Sequence, residues 1–328
     1  MRWGRVLVLS AVVAVLSAPL AHADHLEKTL GPSEPARDFP ATFRPLLPVD
    51  SQAVSATSTW KDPHVGGWGG GPEPCPAGHA PRPPVVFVHG NAYDAGFWRA
   101  TPTADGSTTN VRSWFLANGW CADELWAISY TGSTGYTTYN DVNVADVRDF
   151  LAAVRTWTGA AEVDVVGHSL GVTIVRKVLL DGSKRGVHRV GARRAGVRRA
   201  GIRRAVLIAG ANRGTTSCRG SRTAHYSHVC DEVEPGSDWL AELNSFGDTL
   251  PGIDYLTLLD GTGVADNFYL GPDASSPRLD GACNHNLPFT LHLPLARGRQ
   301  AVTAYGTWLG GGPLPSCARP VSVFPSVG

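Results

Sequence analysis

Beyond its leader the chain has no apolar run long enough to cross a bilayer, for which ~20 residues are needed, so no later membrane span is expected. It also lacks a surplus of charge. Lys and Arg total 29 against 28 Asp and Glu, for a net charge of +1, which excludes a general attraction to nucleic acid or to acidic surfaces. No C-x-x-C pair occurs, and the cluster His225, His228, Cys230, Asp231 has ligand-type residues without a recognised zinc spacing. No metal is therefore expected.

What is present starts with a leader. Met1-Arg2-Trp3-Gly4-Arg5 precedes an apolar run from Val6 to Leu16, Pro19 and the small-residue site Ala21-His22-Ala23. This reads as a secretory signal peptide over 1–23. All six cysteines (Cys75, Cys121, Cys218, Cys230, Cys283, Cys317) lie beyond it, and an even number in an exported chain suggests three disulfides. Sequence leaves the connectivity open. Proximity and fold order favour Cys75 with Cys121, Cys218 with Cys230, and Cys283 with Cys317.

Residues 24–83 are rich in Pro and Gly. Trp60-Lys61-Asp62-Pro63 and Gly66-Gly67-Trp68-Gly69-Gly70-Gly71 show no sustained period, so the segment is expected as an irregular arm. The domain proper is placed at 84–328. Val85-Val86-Phe87-Val88 is a continuous apolar run suited to a parallel sheet. A helix is expected near Val111 to Asn118 and a strand near Leu125 to Ser129. Val144, Val147, Leu151, Val154 and Trp157 recur at helical steps.

Strands at Val163 to Val166, Ala205 to Ala209 and Tyr255 to Leu259 follow, and Val302, Tyr305 and Leu309 stripe a closing helix. Alternating strands and helices give an α/β fold with a mostly parallel sheet covered on both faces. Two stretches break the pattern. Gly191 to Ala205 repeats Gly-X-Arg-Arg-Ala three times, a period matching neither helix nor strand. It is expected as a solvated connection, with weak association with anionic surfaces as the alternative; interleaved aromatics of a nucleic-acid platform are missing. Residues 212–251 form a loop-rich insertion, expected as a small lid or substrate-pocket wall.

The most informative segment is Val163-Asp164-Val165-Val166-Gly167-His168-Ser169-Leu170-Gly171, in which a β-branched run enters G-x-S-x-G and a helix-forming run from Val172 to Asp181 leaves it. This is the form of a nucleophile elbow. A serine hydroxyl is a weak nucleophile until lifted clear of the backbone and set beside a base. Gly167 and Gly171 supply the room for so sharp a turn. Chemistry built on this elbow takes its acid and then its base from later loops.

Asp254, Asp260, Asp266, Asp273 and Asp280 are the acids near or beyond the strand at Tyr255. Asp254 precedes the strand and would point to the wrong end of the sheet. Asp266 is preferred and Asp260 is the alternative. For the base, His285 falls on the last strand, whereas His292 falls in the loop ahead of the last helix. That approach lets one ring nitrogen face the serine and the other the acid, so His292 is expected. Oxyanion stabilisation needs two aimed backbone N–H groups. Leu170 at the helix start supplies one, and Asn91, after Phe87-Val88-His89-Gly90, the other. His89 is expected to pack and shape its loop, and His168 to be a buried spacer.

With these residues in hand, Gly167-His168-Ser169-Leu170-Gly171, His89-Gly90-Asn91, the Asp266 loop and His292 together resemble secreted bacterial lipases and esterases of the α/β-hydrolase fold, the class 2 lipase group. The His-Gly-Asn form flanked by Cys75 and Cys121 also resembles extracellular lipase-like polyhydroxybutyrate depolymerases. The similarity extends from about Cys75 to Leu309 and does not include the arginine repeat or the Pro/Gly-rich arm. It implies a cofactor-independent secreted serine hydrolase acting on lipid, short-chain ester or polyester substrates through an acyl-enzyme. A polyhydroxyalkanoate depolymerase, an acyltransferase on the same triad, and a binding protein on a retired hydrolase scaffold are the alternatives. Oligomeric state is not legible.

Overall fold

A computed structural model describes residues 66–70, 75–130, 139–187, 201–224, 227–266 and 276–317. The expected signal peptide over 1–23, most of the expected arm with Trp60-Lys61-Asp62-Pro63, repeat residues 191–200, His225 and Asp273 lie outside the described residues. In chain order the strands are β1 (Gly66–Gly69), β2 (Val85–Val88), β3 (Leu125–Ser129), β4 (Val163–His168), β5 (Ile202–Ile208), β6 (Asp254–Leu259) and β7 (Cys283–Asn286). The helices are α1 (Val111–Ala117), α2 (Asn140–Thr158), α3 (Leu170–Val187), α4 (Ser221–Ala224), α5 (His228–Val233), α6 (Asp238–Asn244), α7 (His292–Arg297) and α8 (Arg299–Leu309).

Among the described residues the seven strands make one sheet in the order β1-β3-β2-β4-β5-β6-β7. Every pairing from β3 to β7 is parallel, as the alternation predicts. Burial on both faces explains the sequence of these strands: all four residues of β2 and all five of β3 are buried, so neither strand alternates polar with apolar. The chain passes from β2 to β3 on one side and then crosses to β4 on the other. The winding therefore reverses between β2 and β4, and crevices outside the carboxyl ends of strands form at such reversals.

Three local expectations are corrected. Gly66–Gly69, read within an irregular arm, forms β1 and pairs antiparallel with β3; glycine-rich residues give no period to read, but their small size suits close packing, since a Cβ on Gly67 would lie 1.9 Å from the Ala127 carbonyl oxygen. The last copy of the arginine repeat is strand, because β5 begins at Ile202. There Arg203 grips the buried Asp164 carboxylate of β4 at 2.9 and 2.5 Å, and Arg204 lies over the Trp308 ring at 4.8 Å while donating to the Trp308 carbonyl. These cations are cross-links to β4 and α8, not solvated linker. On α2, Val144, Val147, Leu151 and Val154 are buried as expected, but Trp157 is half exposed; it occupies the final turn, one residue before the helix ends at Thr158.

The insertion contains α4, α5 and α6 and is tied to the rest by polar contacts. Arg176 of α3 donates to Asn212 at 3.2 Å and Asn244 at 3.1 Å, and Glu232 accepts from the Asn140 N–H at the start of α2 at 2.8 Å. All three disulfides pair as proximity favoured: Cys75 with Cys121, Cys218 with Cys230, and Cys283 with Cys317, at Cα separations of 5.4, 5.0 and 5.0 Å. No helix among the described residues is long and apolar enough to cross a membrane.

Candidate active site

Ser169 sits between β4 and α3 with φ of +54°, a left-handed conformation that a β-carbon disfavours and that surrounding structure must enforce. Its N–H donates to the Ile208 carbonyl at 2.8 Å, and its carbonyl accepts from Val172 at 3.0 Å. Both strand and helix thus clamp the turn. Gly171 provides the clearance: a Cβ there would lie 2.3 Å from the His89 carbonyl oxygen and 2.7 Å from that of Val88. The chain of α3 passes that close to the loop after β2. On the other side of the contact, a Cβ on Gly90 would lie 2.9 Å from the Ser169 Cβ, so the His89-Gly90-Asn91 segment abuts the elbow.

That segment is held by buried groups. His89 Nδ1 donates to the Gly90 carbonyl at 2.7 Å and its ring stacks on Tyr130 at 4.0 Å. Burial pushes the His89 imidazole down to about 3, against the opposing pull of the Gly90 carbonyl, so it stays neutral and acts as the expected loop-shaping residue. The Tyr130 hydroxyl lies 3.1 Å from the His89 carbonyl and 3.2 Å from that of Gly90. Asn91 is exposed and Leu170 opens α3. Among the described residues neither of their N–H groups meets an acceptor, which leaves both available to a ligand as helix starts and tight turns allow.

Asp266 and His292 are brought together. Both carboxylate oxygens of Asp266 lie 3.1 Å from His292 Nδ1, with the Asp266 side chain 2% and the imidazole 14% exposed. A carboxylate can only accept from Nδ1–H at neutral pH, so Nε2 is left facing away from the acid. The His292 ring is 4.6 Å from that of His168, the neighbour of Ser169 in the elbow. His292 is the first residue of α7 rather than a loop residue, and α7 is anchored at its other end by Arg297, which donates to the Ala100 and Thr101 carbonyls at 2.8 and 3.1 Å. No local pattern marks this anchor, since its acceptors are backbone oxygens nearly two hundred residues away.

His168 does more than fill space. Its ring stacks on Phe97 at 5.3 Å, and Nε2 reaches the His292 carbonyl at 3.2 Å. Since that carbonyl is only an acceptor, Nε2 carries the proton. Burial first, and the neighbouring His292 second, hold His168 well below the usual imidazole range.

The remaining candidates lie apart. Asp254 opens β6 at the far end from the elbow and is mostly exposed. His285 on edge strand β7 donates to or accepts nothing from the elbow; its Nδ1 contacts the Ser316 carbonyl at 2.8 Å. Asp260 points into its own loop, accepting from the N–H groups of Thr262, Ala265, Asp266 and Phe289 at 3.0, 2.9, 3.2 and 3.0 Å and from the Thr262 hydroxyl at 2.5 Å. Burial alone would raise this carboxyl, but the hydrogen bonds from Thr262, Ala265 and Asp266 hold it at about 2. The one group of potential metal ligands among the described residues, Cys75, His79, Cys121 and Glu124, has both thiols consumed in a disulfide.

The sequence matches the family Lipase (class 2) over residues 82–259, more than half of the chain. The fold is similar to the mature lipase BlEst2 of Bacillus licheniformis, with a TM-score of 0.52, 16% identity, and coverage of 73% of this chain and 96% of that one. It is also similar to lipase B of Aspergillus fumigatus, with a TM-score of 0.51, 14% identity, and coverage of 73% and 56%. The mostly parallel sheet is thus an α/β-hydrolase sheet, and the chain belongs to the class 2 lipase family of carboxylic ester hydrolases.

Proposed function

We propose that the protein is a secreted serine hydrolase that cleaves esters of apolar acids through an acyl-enzyme, with Ser169 as nucleophile, His292 as base and Asp266 as its acid. The observation that carries the reading is the Asp266 carboxylate on His292 Nδ1, with that ring beside an elbow that holds Ser169 at positive φ. His292 Nε2 takes the Ser169 proton as Oγ attacks the ester carbonyl. Asp266 fixes the tautomer and stabilises the imidazolium. The N–H groups of Asn91 and Leu170 receive the oxyanion, Leu170 with the added field of the helix start. The imidazolium then protonates the departing alcohol, and water, deprotonated by His292, releases the acid.

Substrate class is supported by the rim. Val264 on the acid loop and Phe289 and Leu291 on the base loop are 66%, 71% and 59% exposed. Three apolar side chains flanking the acid and the base suit a lipid-like acyl ester better than a polar one. Residues 212–251 are read as a wall of the pocket. Secretion is supported by the leader and by three disulfides, which persist in oxidising compartments.

The test is Ser169→Ala. Turnover of p-nitrophenyl butyrate should fall by on the order of a millionfold, as removal of a triad nucleophile does, and a fluorophosphonate should label the wild type but not the variant. Undiminished turnover in the folded variant defeats the assignment.

A further inference from the structure

Asp266 and His292 are carried by two separate loops, one after β6 and one after β7. Their 3.1 Å contact therefore depends on how those loops are joined. Asp260, the last residue before the first loop, is 4% exposed, and its two oxygens divide the work. Oδ2 accepts from the N–H groups of Ala265 and Asp266, fixing the backbone from which the acid projects. Oδ1 accepts from Thr262 and from the Phe289 N–H, three residues before His292. Phe289 has φ of +58°, so its conformation is not one the chain adopts unaided. Asn286 adds a link at the base of the loops, accepting from the Gly261 N–H at 2.6 Å. Among the described residues, only Asp260 bonds both to the acid's own N–H and to the segment leading to His292.

We infer that Asp260 is a positioning residue whose carboxylate latches the acid loop to the base loop and so sets the alignment of Asp266 with His292. The inference rests on the triad proposed above. It also explains why a carboxylate stands there: each oxygen must accept on a different side, and no neutral side chain of that size offers two acceptors. In Asp260→Asn, an amide NH2 must replace one oxygen, where it faces backbone N–H groups. Turned one way the acid loop is released, turned the other the base loop, and in both cases the latch opens.

The experiment compares Asp260→Asn with Thr262→Val, which removes one hydroxyl but keeps every bond from the Ala265, Asp266 and Phe289 amides. Rates on p-nitrophenyl butyrate are normalised to fluorophosphonate-reactive sites, so that unfolded protein does not count. Asp260→Asn should lower kcat by about tenfold to a hundredfold, since misplacement by about 1 Å can cost that much, with KM within about twofold. The low-field proton NMR signal of His292 Nδ1–H should shift or broaden. Thr262→Val should leave kcat and that signal near wild type. An unchanged normalised kcat with an unchanged Nδ1–H signal in Asp260→Asn overturns the inference. So does loss in Asp260→Asn as deep as in Ser169→Ala if Asp266→Ala stays active, which would make Asp260 the acid and remove the proposed triad as well. If Asp266→Ala is inactive while Asp260→Asn is normal, the triad stands and the latch alone falls.

Discussion

Replacing Gly171 by Ala tests whether the elbow and the His89-Gly90-Asn91 loop are a single packed unit. The new methyl would lie 2.3 Å from the His89 oxygen and 2.7 Å from the Val88 oxygen. Both are backbone atoms, so no side chain can rotate aside. Restoring an ordinary carbon–oxygen contact of about 3.3 Å requires a movement of about 1 Å. The loop cannot yield freely, because the His89 and Gly90 carbonyls are met by Tyr130, while α3 is fixed by the Ser169 bond to β5. Overpacking of this kind costs about 1–3 kcal/mol, and a 1 Å error at reacting groups can cost about a hundredfold in rate. Gly171→Ala should therefore lose about 1–3 kcal/mol in chemical denaturation and about a hundredfold in kcat on p-nitrophenyl butyrate. Ala at Gly167 is the control, since its Cβ meets nothing nearer than 3.1 Å and should be milder in both assays. Wild-type kcat together with wild-type stability in Gly171→Ala would refute the reasoning.

Glu232 makes stability depend on pH. Burial, with Asp141 and Asp231 adding to it against the Asn140 N–H, raises its carboxyl from the usual 4.5 to about 8. The folded state thus holds a proton that the unfolded chain releases, so stability from this group is full below 4.5 and is lost as pH rises through about 8. Glu232→Gln, which keeps the acceptor for Asn140, should gain about 1 kcal/mol or more over wild type between pH 5 and pH 9 in urea melts; parallel stability curves would contradict it. Phe289→Ser with Leu291→Ser should weaken action on emulsified long-chain esters by about tenfold or more, as loss of about 1.5–3 kcal/mol per buried apolar side chain implies. Soluble acetate esters should be nearly unaffected, and equal losses on both would argue against an apolar docking rim.

Legibility followed distance along the chain. β3 and the buried faces of α2 and α8 were readable because each depends on neighbours a few residues away, and the elbow was readable because its glycines and serine are contiguous. β1 was missed because Gly66–Gly69 has no periodic pattern and becomes a strand only by pairing with β3. Arg203 and Arg204 looked like solvated charge because their partners, Asp164 and the Trp308 carbonyl, are 39 and 104 residues away. Position along the strand excluded Asp254 in advance. Which of Asp260 and Asp266 reaches His292 was not legible, because it depends on which carboxylate turns inward to its own loop and which outward across to another.

What the amino-acid order determined by itself was the succession of strands and helices, the turn that lifts Ser169, and the small set of acids and histidines able to serve it. Those are matters of local sterics and period, set by side chains and their immediate neighbours. Only the tertiary structure decided that the Asp266 carboxylate meets His292 Nδ1, that the Asp260 carboxylate meets the N–H groups of Asp266 and Phe289, and that His168 Nε2 reaches the His292 carbonyl. Such pairings depend on where the ends of separate strands fall in one sheet, which is fixed by the packing of the whole core.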